Sequence, residues 1–295
     1  MYNMATTVFD RLTEYAPYIG GAVVLGVGVV VIRQMRKNLA NKRGIPPKDM
    51  VVLHQFDRAH FAPSLSHFAV KVETYLRITK IPYVNSFSGL NGAPKGKVPW
   101  IEYNEETISD SSFIIEFLSH KFSIDLNKDL TAEQRAAARA LQKMVEENTY
   151  WCHILLRWAF HVEEMMRSYL SASSWSINRF ILWRYRRYMM NKGCVQGIGR
   201  HTYDEITHIV KGDLKALSDF LGSKKCFFGD DATEVDCAIF GQLSQIKWHT
   251  PDCEAKKYFF DECSNLDEYC DRMKAKYWPD WEECTTRGGT TKATK

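Results

Sequence analysis

No cysteine precedes Cys152 in this 295-residue chain, and no two of its eight cysteines stand at CxxC spacing. A dithiol redox motif is therefore excluded. The eight are unevenly scattered, so they provide no disulfide framework, and reduced cytosolic thiols are expected. Cys253, Cys263, Cys270 and Cys284 lie too far apart for a zinc module and are expected as half-buried helix cysteines. His54, His60 and His67 show no HExxH-like spacing, so no metal site is expected among them. No Asn-x-Ser/Thr acceptor and no internal repeat occurs. The net charge of +4 is small and much of it sits in one short segment, so nucleic-acid binding is not expected.

Charge is also missing from Tyr15 to Ile32, an eighteen-residue apolar run. A spanning helix needs about 20 apolar residues, with a lower limit near 17. Tyr15 and Tyr18 sit where an interfacial aromatic belt would be. A secretory signal would carry its positive charge first and end in a small-residue cleavage site. Here Arg33, Arg36, Lys37, Lys42, Arg43 and Lys48 follow the run, with no acid among them. The sequence is thus expected to divide into an N-terminal segment (1–14), a transmembrane helix (15–32) and a basic linker (33–49). The positive-inside rule places the body in the cytosol, as a single-pass membrane protein.

The stretch from Met50 to Leu118 organises the rest. Val51-Val52-Leu53 is a short apolar run, as a buried parallel strand would be. Ser64 and Ser66 precede a helical pattern of Phe68, Val72 and Leu76, with Lys71, Glu73 and Arg77 between. Ile81-Pro82-Tyr83-Val84 opens a second strand. Val98-Pro99-Trp100-Ile101 puts a proline at a strand head after Gly96-Lys97, a candidate cis bond that would leave the Val98 backbone free to pair with an extended peptide. Asp110-Ser111 then sets a carboxylate and a hydroxyl at a helix N-terminus. The order is strand, helix, strand, strand, strand, helix: an α/β thioredoxin-like domain over 50–121.

An all-α domain is expected over 131–281. Thr131 and Gln134 have capping-box spacing, and no breaker follows for more than thirty residues, which predicts one long helix. A second helix mixes Trp175, Phe180, Trp183, Tyr185 and Tyr188 with Arg179, Arg184, Arg186 and Arg187; it reads as a solvated basic face or one turned to anionic lipid. A third runs from about His201 to Leu221 and stops at Gly222. Thr233-Glu234-Val235-Asp236 has capping-box spacing with Asp in the last place. The polar end, 282–295, is expected to be disordered.

These pieces resemble the N-terminal domain of glutathione transferases. PSLSHFAVKVETYL, KGKVPWIEYN and ISDSSFIIEFL are similar to the failed axon connections family, which is related to metaxins and to nematode cadmium-responsive proteins. The resemblance implies glutathione as a possible ligand, held by Val98, Pro99, Asp110 and Ser111. It also implies that Ser66, at the helix start where thiol-dependent members carry Cys, Ser or Tyr, either stabilises a thiolate or is only a helix cap. Neither Ser66 nor Ala69 offers sulfur, so thiol–disulfide exchange is not expected. Two functions follow from the resemblance: a non-catalytic binding or adaptor protein with a protein partner or as a dimer, or a glutathione-dependent transferase acting in xenobiotic or cadmium stress.

Overall fold

The structure, a computed structural model, describes residues 48–169 and 179–286. The apolar run at 15–32 and Trp175 fall outside them; among the described residues no helix is long and apolar enough to cross a membrane.

β1 (Val51–His54) is buried along its whole length, as a central strand of valine and leucine should be. It pairs in parallel with β2 (Tyr83–Ser86) and antiparallel with β3 (Trp100–Tyr103), which carries β4 (Glu106–Ser109) on its other edge. The strand order is β2-β1-β3-β4. Helix α1 (His67–Thr79) is the crossover that the parallel pair demands, and α2 (Ser111–Phe122) follows β4. Val72, Tyr75 and Leu76 of α1 and Ile114, Ile115 and Leu118 of α2 close one core against Val51, Leu53 and Ile101.

The alternation around Phe68, Val72 and Leu76 suggests that Lys71 and Glu73 face water. The structure buries both. Lys71 is covered by α8 (Glu234–Ser244), which packs along α1, whereas Glu73, two residues on and so on another face, is enclosed by Gln55, Arg58, Tyr83 and Asn85. The two helices approach so closely at Gly241 that a Cβ there would lie 2.6 Å from the carbonyl oxygen of His67. Glycine is required at that crossing.

The expected single long helix is corrected. α3 (Ala132–Lys143) begins at the Thr131–Gln134 capping box. It passes through a π-helical turn (Met144–Thr149) into α4 (Tyr150–Leu155), then through another (Leu156–Phe160). The helical path breaks at His161, whose φ of −109° and ψ of 29° leave the helical region, and α5 (Val162–Tyr169) follows. At the first wide turn Asn148 and Thr149 both donate to the Asp213 carboxylate on α7 (Tyr203–Leu221), tying the widened backbone to its neighbour.

Helix α6 (Arg179–Gln196) precedes α7, whose start is Thr202, capped reciprocally with Glu205, and whose end is Gly222. α9 (Glu254–Glu262) and α10 (Ser264–Tyr277) complete the domain. The expected disordered tail is corrected over its first part. Cys284 and Thr285 are buried in and after a short 3-10 turn, and the Thr286 N–H donates to the Ala59 carbonyl at 3.0 Å. Asp280 holds this segment to α1 through Arg77, at 2.5 Å, while the Arg77 guanidinium stacks 3.9 Å over Trp278. Residues 287–295 fall outside the described part. All eight cysteines are free thiols, and Cys263, Cys270 and Cys284 are fully rather than half buried. Burial pushes Cys152 and Cys226 up to about 12, which makes them poor nucleophiles.

The capping box at the head of α8 is present. The wholly buried Asp236 carboxylate accepts from the N–H of Thr233 (2.8 Å), the hydroxyl of Thr233 (2.7 Å), the N–H of Phe227 (3.0 Å) and the hydroxyl of Tyr269 (3.2 Å). Asp236→Ala strands several buried donors, so it is expected to lower stability by about 2 kcal/mol, the upper end for loss of a cap. A shift of the urea midpoint at unchanged slope would report it; an unmoved midpoint would show that the cap does not bear on this helix.

Candidate functional site

Strand register gathers the residues that the sequence singles out. His54, the last residue of β1, lies opposite Trp100, the first of β3, and Trp100 lies opposite Ser109, the last of β4. The loop leading to Ser66, the Val98-Pro99 pair and the Asp110-Ser111 pair therefore all leave from one end of the sheet. Val98-Pro99 is a cis peptide, as its position at the strand head suggests. Among the described residues no hydrogen bond engages the backbone of Val98.

Ser66 is the N-cap of α1: its Oγ accepts from the Ala69 N–H at 3.3 Å. Asp110 caps α2 by accepting the Ser112 N–H at 3.0 Å. Its φ of 81° puts a non-glycine residue in a sparsely populated region, a strain that the fold holds at this corner. Ser111 is buried, and its hydroxyl already has a partner inside the protein. Lys71 Nζ reaches it at 3.3 Å, reaches Ser112 Oγ at 3.0 Å and pairs with the Glu146 carboxylate at 2.5 Å. Gln142 donates to both Ser112 and Glu146. A buried ion pair with this many hydrogen bonds is satisfied where it is, and removal of one partner would leave a bare buried charge. The pair also joins α1 of the first domain to the π-helical turn of the second.

Two further networks stand behind the site. Glu73, fully buried, accepts from Arg58 through both oxygens at 2.8 Å, from Gln55 at 2.8 Å, and from Tyr83 and Asn85 at 3.1 Å, with Arg77 at 3.7 Å. Burial pushes its carboxyl up, but the Arg58 and Arg77 charges and the Gln55 amide outweigh this and hold it below the usual range. Beside it His67, His153 and His249 are buried with Arg157. His67 Nε2 and His153 Nδ1 are 2.9 Å apart, and Gln242 donates to the same Nδ1 at 3.3 Å. His153 Nε2 bonds Thr250 Oγ1. The Phe61 N–H donates to His249 Nε2 at 3.4 Å, while His249 Nδ1 and Arg157 Nη1 both meet Gln245 Oε1, at 3.0 and 3.2 Å. Gln245 donates in turn to the Ser64 carbonyl at 2.9 Å, two residues before the Ser66 cap. Burial first, and the Arg157 charge second, push all three histidines well below their ordinary range.

The histidines noted in the sequence thus diverge. His54 stacks 3.6 Å on Trp100, His60 bonds Thr286 and His67 joins His153. Among the described residues no group of three or more His, Cys, Asp or Glu is arranged for a metal ion. A cavity of about 660 Å³ opens between His60, Phe61, Trp248, His249 and Trp281, and it is lined by none of Ser66, Val98, Asp110 or Ser111. Sequence reasoning missed Lys71, Glu146 and the histidine network. The one signal was the pair of charges set among the apolar residues of α1; His153 and His249 carried none.

This is the arrangement of a known fold. Residues 67–165 match the family described as Glutathione S-transferase N-terminal domain, and residues 210–273 match Glutathione S-transferase, C-terminal domain; together they take in more than half of the chain. The chain is 36% identical to failed axon connections of Drosophila melanogaster over 81% of its own length. It belongs to this family of glutathione S-transferase-like proteins. It spans 61% of the length of that relative. An isoprene-epoxide glutathione S-transferase of a Rhodococcus strain is 28% identical over 77% of the chain and 99% of the enzyme. Mouse metaxin-2 is 24% identical over 80% of the chain and 91% of its own length. Among solved structures, beta-etherase LigF of a Sphingobium strain superposes with a TM-score of 0.55 at 17% identity, covering 79% of this chain and 98% of its own, which establishes the common fold.

Proposed function

We propose that this failed axon connections relative is a membrane-anchored, non-catalytic adaptor that docks a protein partner from the cytosolic face. One observation carries the reading: the Lys71 ammonium, which donates to the Ser111 hydroxyl at the helix start where a γ-glutamyl carboxylate would sit, is already neutralised from within by Glu146. Drawing that ammonium away from Glu146 to a ligand carboxylate would leave a buried carboxylate unpaired, which is unfavourable by about 3–5 kcal/mol. Ser66, bonded to the α1 backbone, serves here as a cap. The kinship to failed axon connections and metaxin-2 supports the same reading. Anchoring rests on the apolar run Tyr15–Ile32 and the six basic residues after it. Protease added to intact organelles would then digest the body; full protection without detergent would place it on the other side.

A second reading, a glutathione-dependent transferase in xenobiotic or cadmium stress, is favoured by the unengaged Val98 backbone and the strained Asp110. Calorimetric titration of the detergent-solubilised chain with glutathione separates the two. The adaptor is expected to give no saturable heat at millimolar glutathione, whereas a Glu146→Gln variant, with the Lys71 ammonium released, gains binding. Saturable binding by the parent chain, with turnover of a model electrophile that drops about tenfold in Ser66→Ala, would establish the enzyme instead.

A further inference from the structure

Helix α6 presents a face that the site does not use. From Arg179 to Gln196 it contains no Asp or Glu. Trp183, Arg184, Arg187 and Tyr188 fall on one arc of the helix, continued by Asn191 and Val195, and every one of them is exposed. Trp183 and Tyr188 are 55% and 52% exposed, among the most open large apolar side chains of the described residues. Cations accompany the rings: the Arg187 guanidinium lies 5.8 Å from the Trp183 ring centre and Lys192 Nζ 4.6 Å from that of Tyr188. The opposite side of the helix is fixed in the protein. Gly193 is buried against Leu155, and Tyr185 meets Trp158 edge-on at 6.1 Å.

A solvated basic face needs its arginines in water but gains nothing from an open tryptophan and tyrosine between them. Trp and Tyr interleaved with Arg and Lys, and with no acid, match the chemistry of a lipid headgroup layer: phosphate for the cations, the acyl boundary for the rings. We propose that this face of α6 rests on an anionic lipid surface, a second membrane contact that orients the body. The proposal rests on the membrane anchoring set out above. An acidic protein surface would also accept these rings and cations; the absence of any acid along the helix and the anchor upstream favour lipid, and the crosslinking separates the two.

The full chain carrying benzoylphenylalanine in place of Trp183, reconstituted into phosphatidylcholine vesicles with about 30% phosphatidylserine, tests it by photocrosslinking. Crosslinks to lipid are expected at position 183 and not at the exposed position of Glu262. The yield is expected to fall about tenfold in pure phosphatidylcholine or in an Arg184→Glu, Arg187→Glu, Lys192→Glu variant. Equal lipid yields at 183 and 262, a yield indifferent to charge, or, in organelle membranes, crosslinks from 183 to protein alone would overturn it. Alkaline carbonate separates the anchor from the face. If carbonate releases the chain, the anchoring reading fails, and the released chain must still float with anionic vesicles for the α6 proposal to stand.

Discussion

Glu73→Ala is expected to lower the stability of the protein by about 3–5 kcal/mol, the range for removal of one partner of a buried ion pair. The variant strips Arg58, whose side chain is 4% exposed, and Arg77, at 13%, of the carboxylate that they share. It also strands the amides of Gln55 and Asn85 and the hydroxyl of Tyr83. Because Gln55 follows β1, Tyr83 and Asn85 belong to β2 and Glu73 belongs to α1, the loss loosens the whole strand–helix–strand unit. A fall in melting temperature on the order of 10 °C should accompany it. Arg58→Met added to Glu73→Leu removes charges of both signs and should restore part of the loss, with Arg77 still held by Asp280. A melting curve within a degree or two of the parent would show that the network is dispensable.

Lowering the pH below about 6.5 is expected to destabilise the protein steeply, because His67, His153 and His249 are held neutral. The hydrogen bonds fix which nitrogen carries each proton. His249 Nε2 accepts from the Phe61 N–H, so its proton sits on Nδ1 toward Gln245. His153 Nδ1 accepts from Gln242 and from His67, so its proton sits on Nε2 toward Thr250. A second proton on either ring would face a donor, in a buried space that already holds the Arg157 cation, with His60 and Tyr150 at its margin. The folded pKa values lie below the unfolded ones, so the unfolded chain binds more protons in this window and folding loses ground as the pH falls. Each histidine contributes about 1.4 kcal/mol per pH unit below the unfolded value, and the three together up to about 4. Little change is expected between pH 8 and 7. The raised carboxyls of Asp213, Glu234 and Asp236 work in the opposite direction toward lower pH, since the folded protein takes up their protons first. For that reason the comparison is between variants. Urea midpoints at pH 7.5 and 5.5 should show that His249→Gln flattens the dependence by about a third. A parent-like slope in that variant would mean that His249 is not held neutral by the fold.

The predictions fall on residues that the sequence treated as ordinary. The strands and helices of the first domain, the cap at Ser66, the cis proline at Pro99 and the box at Asp236 are local matters: turn chemistry, side-chain period and the spacing of a cap to its own backbone. A chain carries that information over a few residues, and here it was read at those positions. The packing of α1 was not local. Lys71 and Glu73 look solvent-facing in the sequence, and they are buried because α8, more than 150 residues downstream, covers Lys71, while the loop after β1 and strand β2 close over Glu73. Once covered, each charge must be paired: Glu146 and Arg58 meet that demand from other elements, and Arg77 from one turn further along α1. The same holds for His67, His153 and His249, which the chain separates widely and the domain junction brings together. The sequence by itself determined a glutathione transferase-like fold, with the caps at Ser66 and Asp110 and the cis proline at Pro99. Only the tertiary structure decided that the Lys71 cation beside Ser111 is neutralised from within, because burial of a charge compels a partner and Glu146 supplies it.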